Sequence, residues 1–339
     1  MKILTVSIAA YNVEKYLDET LKSLTDNRYV NDLEVLVVDD GSTDKTGEIA
    51  IRYQNVFPNS VKYIKKENGG HGSTINKGVE LAIGKYFRVI DGDDYVDTDE
   101  FANYIEKLKA CDSDVVLTNL YAVNDKGKKR LDPAMVRNGK DVFDDIIQNR
   151  ELEMGYYENT RLYGLSTLTI KTKLLQSSRM KITEKCFYVD AEFIIWCIYL
   201  AQTFQYWPMR IYMYRKDENG DNSVSKKNMV RNVSMQEKVA RNMLNLFDEF
   251  GKKCSSEKKM ALILERIIIS VGATMRSYML FDDKEDGQNH IIEFDNDIKI
   301  NHPVAYKRMG KNMFLKSVRF GNHSFIPLVR FAYIKWLER

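Results

Sequence analysis

Three carboxylates crowd into four residues at Asp91-Gly92-Asp93-Asp94, directly after the apolar-rich run Tyr86-Phe87-Arg88-Val89-Ile90. A strand carrying that run ends with its acids at a sheet edge. Side chains at i and i+2 of an extended segment point the same way, so Asp91 and Asp93 can reach one ion. Paired oxygen ligands suit Mg²⁺ or Mn²⁺, and such ions bind substrate phosphates through open coordination positions. An acidic turn between strand and helix has the same composition, so the motif takes its meaning from its surroundings. A calcium loop over 91–97 is excluded, because Val96 stands where that loop requires glycine.

Three further segments precede it. Val6-Ser7-Ile8-Ala9-Ala10-Tyr11-Asn12 is an apolar run that breaks into a polar turn. Leu33 to Val38 is another, ending in Asp39-Asp40-Gly41-Ser42-Thr43-Asp44. Asn68-Gly69-Gly70-His71-Gly72-Ser73-Thr74-Ile75-Asn76-Lys77-Gly78 is a glycine-rich loop running into a helical pattern. In this order the four segments resemble the family-2 glycosyltransferases of the GT-A fold. That family shows a strand ending near Tyr-Asn, then Asp-Asp-Gly-Ser-Thr-Asp, then Asn-x-Gly-x-x-x-Ala-Arg-Asn-x-Gly, then Asp-x-Asp-Asp. The close match covers roughly the first 100 residues, and four ordered motifs are far more specific than one.

The resemblance implies an inverting, metal-dependent transfer from a nucleotide sugar, most simply a UDP-sugar, to a hydroxyl of a glycan or lipid-linked acceptor. It makes Asp93 the direct ligand of Mn²⁺ or Mg²⁺ and Asp91 a ligand of ribose, or of the ion through water. Asp94 either joins them or caps the next helix. Asp40 corresponds to the acid that hydrogen-bonds uracil; an ionised carboxylate accepts well from an N–H donor. Ala9 and Tyr11 flank the base, ordinary packing being the other reading of Tyr11, while Asp39 stabilises the turn that follows. Asn68, Gly70 and Asn76 belong to the donor loop. Here the chain departs from the family: Ile75 occupies the arginine position and supplies no charge to a diphosphate. His71, Arg215 and Lys216 are the candidate replacements. The general base corresponds to Asp190 in Phe187-Tyr188-Val189-Asp190-Ala191-Glu192-Phe193, although Val189 replaces the usual Glu. An N-cap is the structural alternative for Asp190, and Glu192 is the fallback base.

These residues need a scaffold. Apolar runs at 3–10, 33–38, 61–64, 86–90 and 114–118 read as strands buried on both faces. Helical patterns alternate with them: Val13, Leu17, Leu21 and Leu24 behind an Asn12 cap; Ile49, Ala50 and Tyr53; and Phe101, Ile105 and Leu108 after the acidic stretch Asp97 to Glu100. The alternation predicts an α/β fold, a doubly wound and mostly parallel sheet with ligands beyond the carboxyl ends of its strands. Residues 1–120 form the nucleotide-sugar part. Residues 121–225 form the acceptor and base part, with apolar runs at 165–170 and 209–214 and a helix from about Ala191 to Ala201. Residues 221–230 read as a linker or lid. Residues 226–339 form a helical C-terminal extension that the resemblance does not explain. In it, Val239, Met243, Phe247 and Phe250 face Leu264, Ile267, Ile268 and Val271 across a turn at 251–256.

Composition narrows the classes. The formal net charge is only +3, which argues against a general nucleic-acid binder. Cys111, Cys186, Cys197 and Cys254 are scattered without metal or disulfide spacing, so a reduced, cytoplasmic setting is expected. No apolar stretch approaches the ~18 residues of a span. Lys2 followed by Ile3 to Ala10 is read as a first strand rather than a signal peptide, since an amphipathic helix follows directly. The charge is uneven, however. Residues 307–339 carry eight basic side chains and one acid, a formal +7, so the remainder sums to −4. Large apolar groups are interleaved with those charges. The segment therefore either lies on an anionic membrane surface, at the inner face of the cell membrane, or covers the helical hairpin.

Other functions compete. A Mg²⁺-dependent phosphatase also uses Asp-x-Asp, but near its first strand and with Thr or Val where Tyr95 stands. A non-catalytic nucleotide-sugar sensor would account for Ile75 and Val189. A dinucleotide-binding loop is disfavoured, because Gly70 to Ile75 lacks the third glycine.

Overall fold

The computed structural model describes residues 2–124, 127–132, 135–137, 140–216 and 225–337. Its chain divides into two units, residues 1–219 and 220–339.

In the first unit the strands are β1 (Leu4–Ala10), β2 (Leu33–Asp39), β3 (Val61–Lys65), β4 (Tyr86–Asp91), β5 (Tyr95–Val96), β6 (Val115–Val123), β7 (Lys129–Arg130), β8 (Val136–Arg137), β9 (Lys140–Asp141), β10 (Leu152–Glu153), β11 (Leu168–Lys171) and β12 (Thr203–Arg215). The α-helices are α1 (Leu17–Leu24), α2 (Thr46–Val56), α3 (His71–Leu81), α4 (Thr98–Lys109), α5 (Thr172–Gln176) and α6 (Asp190–Leu200). The main sheet runs β10-β12-β6-β11-β4-β1-β2-β3, with β5 beside β12 and β7 beside β6. Strands β3, β2, β1 and β4 pair in parallel, and so do β6 and β12. Strand β11 is antiparallel to both neighbours, and β5, β7 and β10 are also antiparallel. The sheet is thus more mixed than strand–helix alternation predicts.

The parallel half forms because its strands can bury both faces. Every residue of β2 is buried, and β1 leaves only Ala9 partly open. Burying each Leu, Val or Ile contributes roughly 1.5–3 kcal/mol before entropy is counted. Helix α1 begins at Leu17, four residues after the first apolar position of its pattern, and buries Leu17, Leu21 and Leu24. Asn12 does not cap it. It holds φ +53° and accepts from the Thr43 N–H at 2.9 Å, while Ser42 Oγ accepts from its own N–H at 3.0 Å. Asn12 thereby joins the loops after β1 and β2. At α4 the cap is Asp97, which accepts from the Glu100 N–H at 3.2 Å. Asp94 plays no capping part.

The second unit is helical over its described residues: α7 (Lys226–Arg231), α8 (Val233–Gly251), α9 (Glu257–Tyr278), α10 (Lys284–Asn301), α11 (Pro303–Met309), α12 (Met313–Arg319) and α13 (Ile326–Leu337). Helices α8 and α9 form the expected hairpin, burying Val239, Met243 and Phe247 on one side and Leu264, Ile267 and Val271 on the other. Ser225, Ser256, Asp283 and Asn312 cap helices with their side chains. Of residues 221–230, expected as linker or lid, 226–230 lie in α7, and 221–224 lie outside the described residues.

Candidate active site

The acidic motif sits at the carboxyl end of β4, where Asp91 registers with Ala9 of β1. Gly92 makes the turn; its N–H donates to the Ala9 carbonyl at 3.0 Å, and an added Cβ would meet that oxygen at 2.9 Å. The chain then re-enters the sheet as β5, against Tyr212 and Met213 of β12. Asp91 is partly open. Asp93 keeps its carboxylate at the surface, but protein atoms crowd around it, and that crowding first and the Asp91 charge second raise its pKa. Asp94 is buried. It accepts from the Tyr212 hydroxyl at 2.6 Å and the Arg215 N–H at 2.7 Å. Burial, then the charges of Asp91 and Asp93, lift its pKa well above the usual carboxylate range. Asp94 therefore ties β12 to the motif.

Arg215 has the same duty. Its Nε donates to the Asp93 carbonyl at 2.7 Å, its terminal nitrogen pairs with Glu19 at 2.7 Å, and its guanidinium lies over Tyr16 and Tyr95. It positions Asp93 instead of offering a free cation. Lys216 pairs with Asp132 at 2.8 Å.

At the neighbouring strand ends, Tyr11 is 51% exposed, so core packing does not account for it. Asp39 is a turn acid as expected, accepting from the Ser42 N–H at 2.8 Å and the Tyr63 hydroxyl at 2.7 Å. Asp40, expected beside the base, is engaged by the protein itself. It is 2% exposed and accepts from Lys66 Nζ at 2.6 Å, the Gly69 N–H at 2.9 Å, the Gly70 N–H at 2.7 Å and Ser73 Oγ at 3.2 Å. A carboxylate has about four lone-pair sites. Oδ1 of Asp40 takes three of these donors and Oδ2 one, and Gly69, Gly70 and Ser73 of the glycine loop supply three of the four.

That loop is clamped from its other side by residues 182–186. Gly70, at φ +76°, would bring a Cβ within 3.3 Å of the Lys185 backbone, and Gly72 would bring one within 2.1 Å of the Thr183 carbonyl. Lys185 N–H donates to the Gly69 carbonyl at 2.5 Å. Asn76 is also not turned to a ligand: its amide donates to the Ile182 carbonyl at 2.9 Å and accepts from the Ile182 N–H at 2.8 Å. Ile75, in the arginine position, is core. Asn68 stays exposed at the start of the loop. His71 opens α3 with Nε2 3.5 Å from Asp91 Oδ1, so the loop touches the acidic edge.

The clamp leads to α6. Glu192 is fully buried and accepts from the Thr183 N–H at 2.7 Å and its hydroxyl at 2.9 Å, which removes it as a fallback base. Asp190 is the first residue of α6, behind Val189, and makes no capping bond. Its half-buried carboxylate has no recorded partner among the described residues. Lys185 and Tyr188, on the approach to it, hold φ of +55° and +66°, conformations that non-glycine residues adopt at a cost of roughly 1–3 kcal/mol.

Does this edge fit a divalent cation? Two adjacent carboxylates with open faces, one of which resists ionisation beside the other, are relieved by positive charge. Among the described residues no three His, Cys, Asp or Glu side chains converge as a complete metal cage. A cation bound here would take one or two carboxylates from the protein and fill the rest of its shell with water and phosphate oxygens. That is the usual habit of Mg²⁺ and Mn²⁺ at phosphate sites.

Reading the motifs missed Tyr212, Lys66, Thr183 and Lys185. None has a local signature. Each acquires its part through a contact that is distant in sequence, as in the pairing of Tyr212 with Asp94.

Comparison with known proteins agrees with this geometry. The model of the family described as Glycosyl transferase family 2 matches residues 5–186. Glycosyltransferase GlyA of Streptococcus pneumoniae serotype 4 is 34% identical over 122 residues, 36% of this chain and 17% of GlyA. The poly(ribitol-phosphate) beta-N-acetylglucosaminyltransferase TarS of Staphylococcus aureus is 33% identical over 124 residues, 36% of this chain and 22% of TarS. The matched part spans less than half the length of these curated relatives. The crystal structure of S. aureus TarS 1–349 in complex with UDP-GlcNAc superposes with a TM-score of 0.71 at 19% identity, covering 99% of this chain and 92% of that one. The likeness shows a shared GT-A fold followed by a helical region.

Proposed function

The chain belongs to glycosyl transferase family 2, and from that premise we propose that it is an inverting, metal-dependent glycosyltransferase acting on a UDP-sugar. The observation that carries this reading is a contrast of commitments. Asp91, Asp93, Tyr11 and Asp190 keep open side chains, while Asp40, Asn76 and Glu192 are spent on the glycine loop and the segment packed against it.

A nucleotide sugar leaves as a diphosphate with concentrated charge. Asp93, with Asp91 beside it, would hold Mn²⁺ or Mg²⁺, which would supply Lewis-acid stabilisation of that charge. The chain's own residues do the rest. Tyr11 and the backbone at Ala9 hold the base, and Asp91 holds ribose or a metal-bound water. Asn68 and the Gly69–Gly70 backbone line the donor side. Asp190 takes the proton of the acceptor hydroxyl, and one in-line displacement follows with inversion. Asp40, Asn76 and Glu192 act through the scaffold. The acceptor is a hydroxyl of a glycan or lipid-linked glycan. Relatives named for N-acetylglucosaminyl transfer favour UDP-GlcNAc as the first donor to test.

The test is titration calorimetry of UDP with and without Mn²⁺, followed by a nucleotide-sugar panel scored by thermal shift. A ligand selective for the folded protein raises its melting temperature by mass action. Parent protein should bind UDP more tightly with Mn²⁺, and Asp93→Asn should lose that increment while keeping its fold. Equal UDP affinity in the two proteins with Mn²⁺ present would remove Asp93 from the metal.

A further inference from the structure

From Pro303 to Leu337 the chain has no Asp or Glu. Two of its arginines turn inward: Arg319 pairs with Asp295 at 2.8 Å, and Arg330 donates to the Met279 and Phe281 carbonyls at 2.8 and 2.9 Å. Lys307, Arg308, Lys311, Lys316 and Lys335 stay exposed and form no ion pair among the described residues.

Apolar groups share those exposed faces at helical spacing. In α12, Met313 is 73% exposed on the face of Lys316. In α13, Leu328, Phe331 and Trp336 are 60%, 57% and 67% exposed and surround Lys335, which lies over the Phe331 ring at 4.8 Å. Only Ile326 of α13 is buried. Residues 328, 331, 332, 335 and 336 fall within one broad stripe of a 3.6-residue helix, so this is an unpartnered apolar face with a cation inside it. Beside α13 lies a groove of about 530 Å³. Tyr278, Ile291 and Ile334 line it, and Lys284 and Lys335 stand at it.

We propose that α11–α13 form a docking surface for anionic lipid, with the aromatic side chains entering the headgroup boundary and the lysines meeting lipid phosphates. Charge complementarity decides the occupant. A two-fold contact with a second copy would bring two wholly basic faces together, which repel. An anionic lipid surface meets both the charge and the apolar stripe. No described helix is long and apolar enough to cross a membrane, so the helices would lie in the interface. The inference does not depend on the donor or the metal.

The experiment is co-sedimentation of the full chain with phosphatidylglycerol-containing vesicles and with pure phosphatidylcholine vesicles, at low and high salt. The parent should pellet with anionic vesicles at low salt and be released by high salt. Combined Leu328→Ser, Phe331→Ser and Trp336→Ser should weaken binding on the order of ten-fold or more, since these groups lose burial in lipid. Combined Lys307→Gln, Lys311→Gln, Lys316→Gln and Lys335→Gln should weaken it on the order of a hundred-fold or more. The far-UV spectrum and melting temperature should be unchanged in both variants, which certifies their fold, and vesicle binding is read without donor or metal, which separates this test from that of the transferase. A parent that stays in the supernatant with anionic vesicles at low salt overturns the proposal. So do variants that sediment like the parent. Light scattering that shows a parent dimer, lost in the apolar variant, with no vesicle binding would assign the face to a second copy instead.

Discussion

In the helical unit Asp295 is fully buried, and Arg319 Nε at 2.8 Å, His323 Nε2 at 2.9 Å and the Tyr306 hydroxyl at 3.4 Å surround it. At the sheet edge of the other unit Asp91 and Asp93 are open to water and press on each other, with the His71 imidazole 3.5 Å from Asp91. The first cluster joins α10 to α11, to the end of α12 and to the segment after it. The second is incomplete and held incomplete by its neighbours. A buried acid bound by donors from its own protein does architectural work, whereas an acid kept open by a rigid frame can take a ligand. Within the first unit the same division separates Asp40, Asp94 and Glu192 from Asp91, Asp93 and Asp190.

The sharpest way to break this division is at Asp190. Asp190→Asn should lower turnover by at least about 10²-fold, the lower range for a general base. UDP affinity should stay within about two-fold, because the group acts on the acceptor. Near-parent turnover in steady-state assays would place Asp190 among the scaffold acids. Asp295→Ala should do the reverse. It leaves Arg319 and His323 in a buried site without their anion and should cost about 3–5 kcal/mol of stability. Chemical denaturation checks this, and donor binding at the native baseline should be unaffected.

Gly72→Ala addresses the clamp between the two kinds of acid. Its Cβ would meet the Thr183 carbonyl at 2.1 Å, so the 182–186 segment must shift. Overpacking of this kind costs about 1–3 kcal/mol. Turnover should fall with it while the Mn²⁺-dependent gain in UDP affinity persists. A parent-like turnover would mean that the clamp does not position Asp190. Tyr11→Ala should weaken UDP binding by about 1–3 kcal/mol if the exposed ring stacks on the base, and leave the melting temperature nearly unchanged. Calorimetry and thermal unfolding separate those outcomes. At the bottom of the scale, Lys77→Ala removes an exposed ion pair to Glu80 and should change stability by no more than about 0.5 kcal/mol.

Much of the frame was legible along the chain because it rests on short-range periodicity. The runs at 33–38 and 86–90 become β2 and β4, and the pattern of Phe101, Ile105 and Leu108 becomes the buried face of α4. Where prediction slipped, a distant partner had intervened. Helix α1 starts at Leu17 because Val13 and Glu14 are held by Thr46 Oγ1 and Asp44 across the next loop. The polar stretch at 226–231 folds as α7 behind its Ser225 cap. The tail divides in a way its composition did not show: Leu315, Val318 and Ile326 pack inward, while Leu328, Phe331 and Trp336 face out.

The sequence by itself determined that acids would stand at the carboxyl ends of β2 and β4, because an apolar strand must end where its polar residues begin. It determined the glycines of the donor loop and the family to which they belong. It did not determine which acids would be free. Asp39, Asp40, Asp94 and Glu192 have the same side-chain chemistry as Asp93 and Asp190, and no local pattern distinguishes them. That choice was made by folding, when the Gly69 and Gly70 N–H groups met Asp40, Tyr212 met Asp94 and Thr183 met Glu192. A hydrogen bond to a carboxylate depends on where the donor lies in space, and strands and loops far apart in sequence supply those donors.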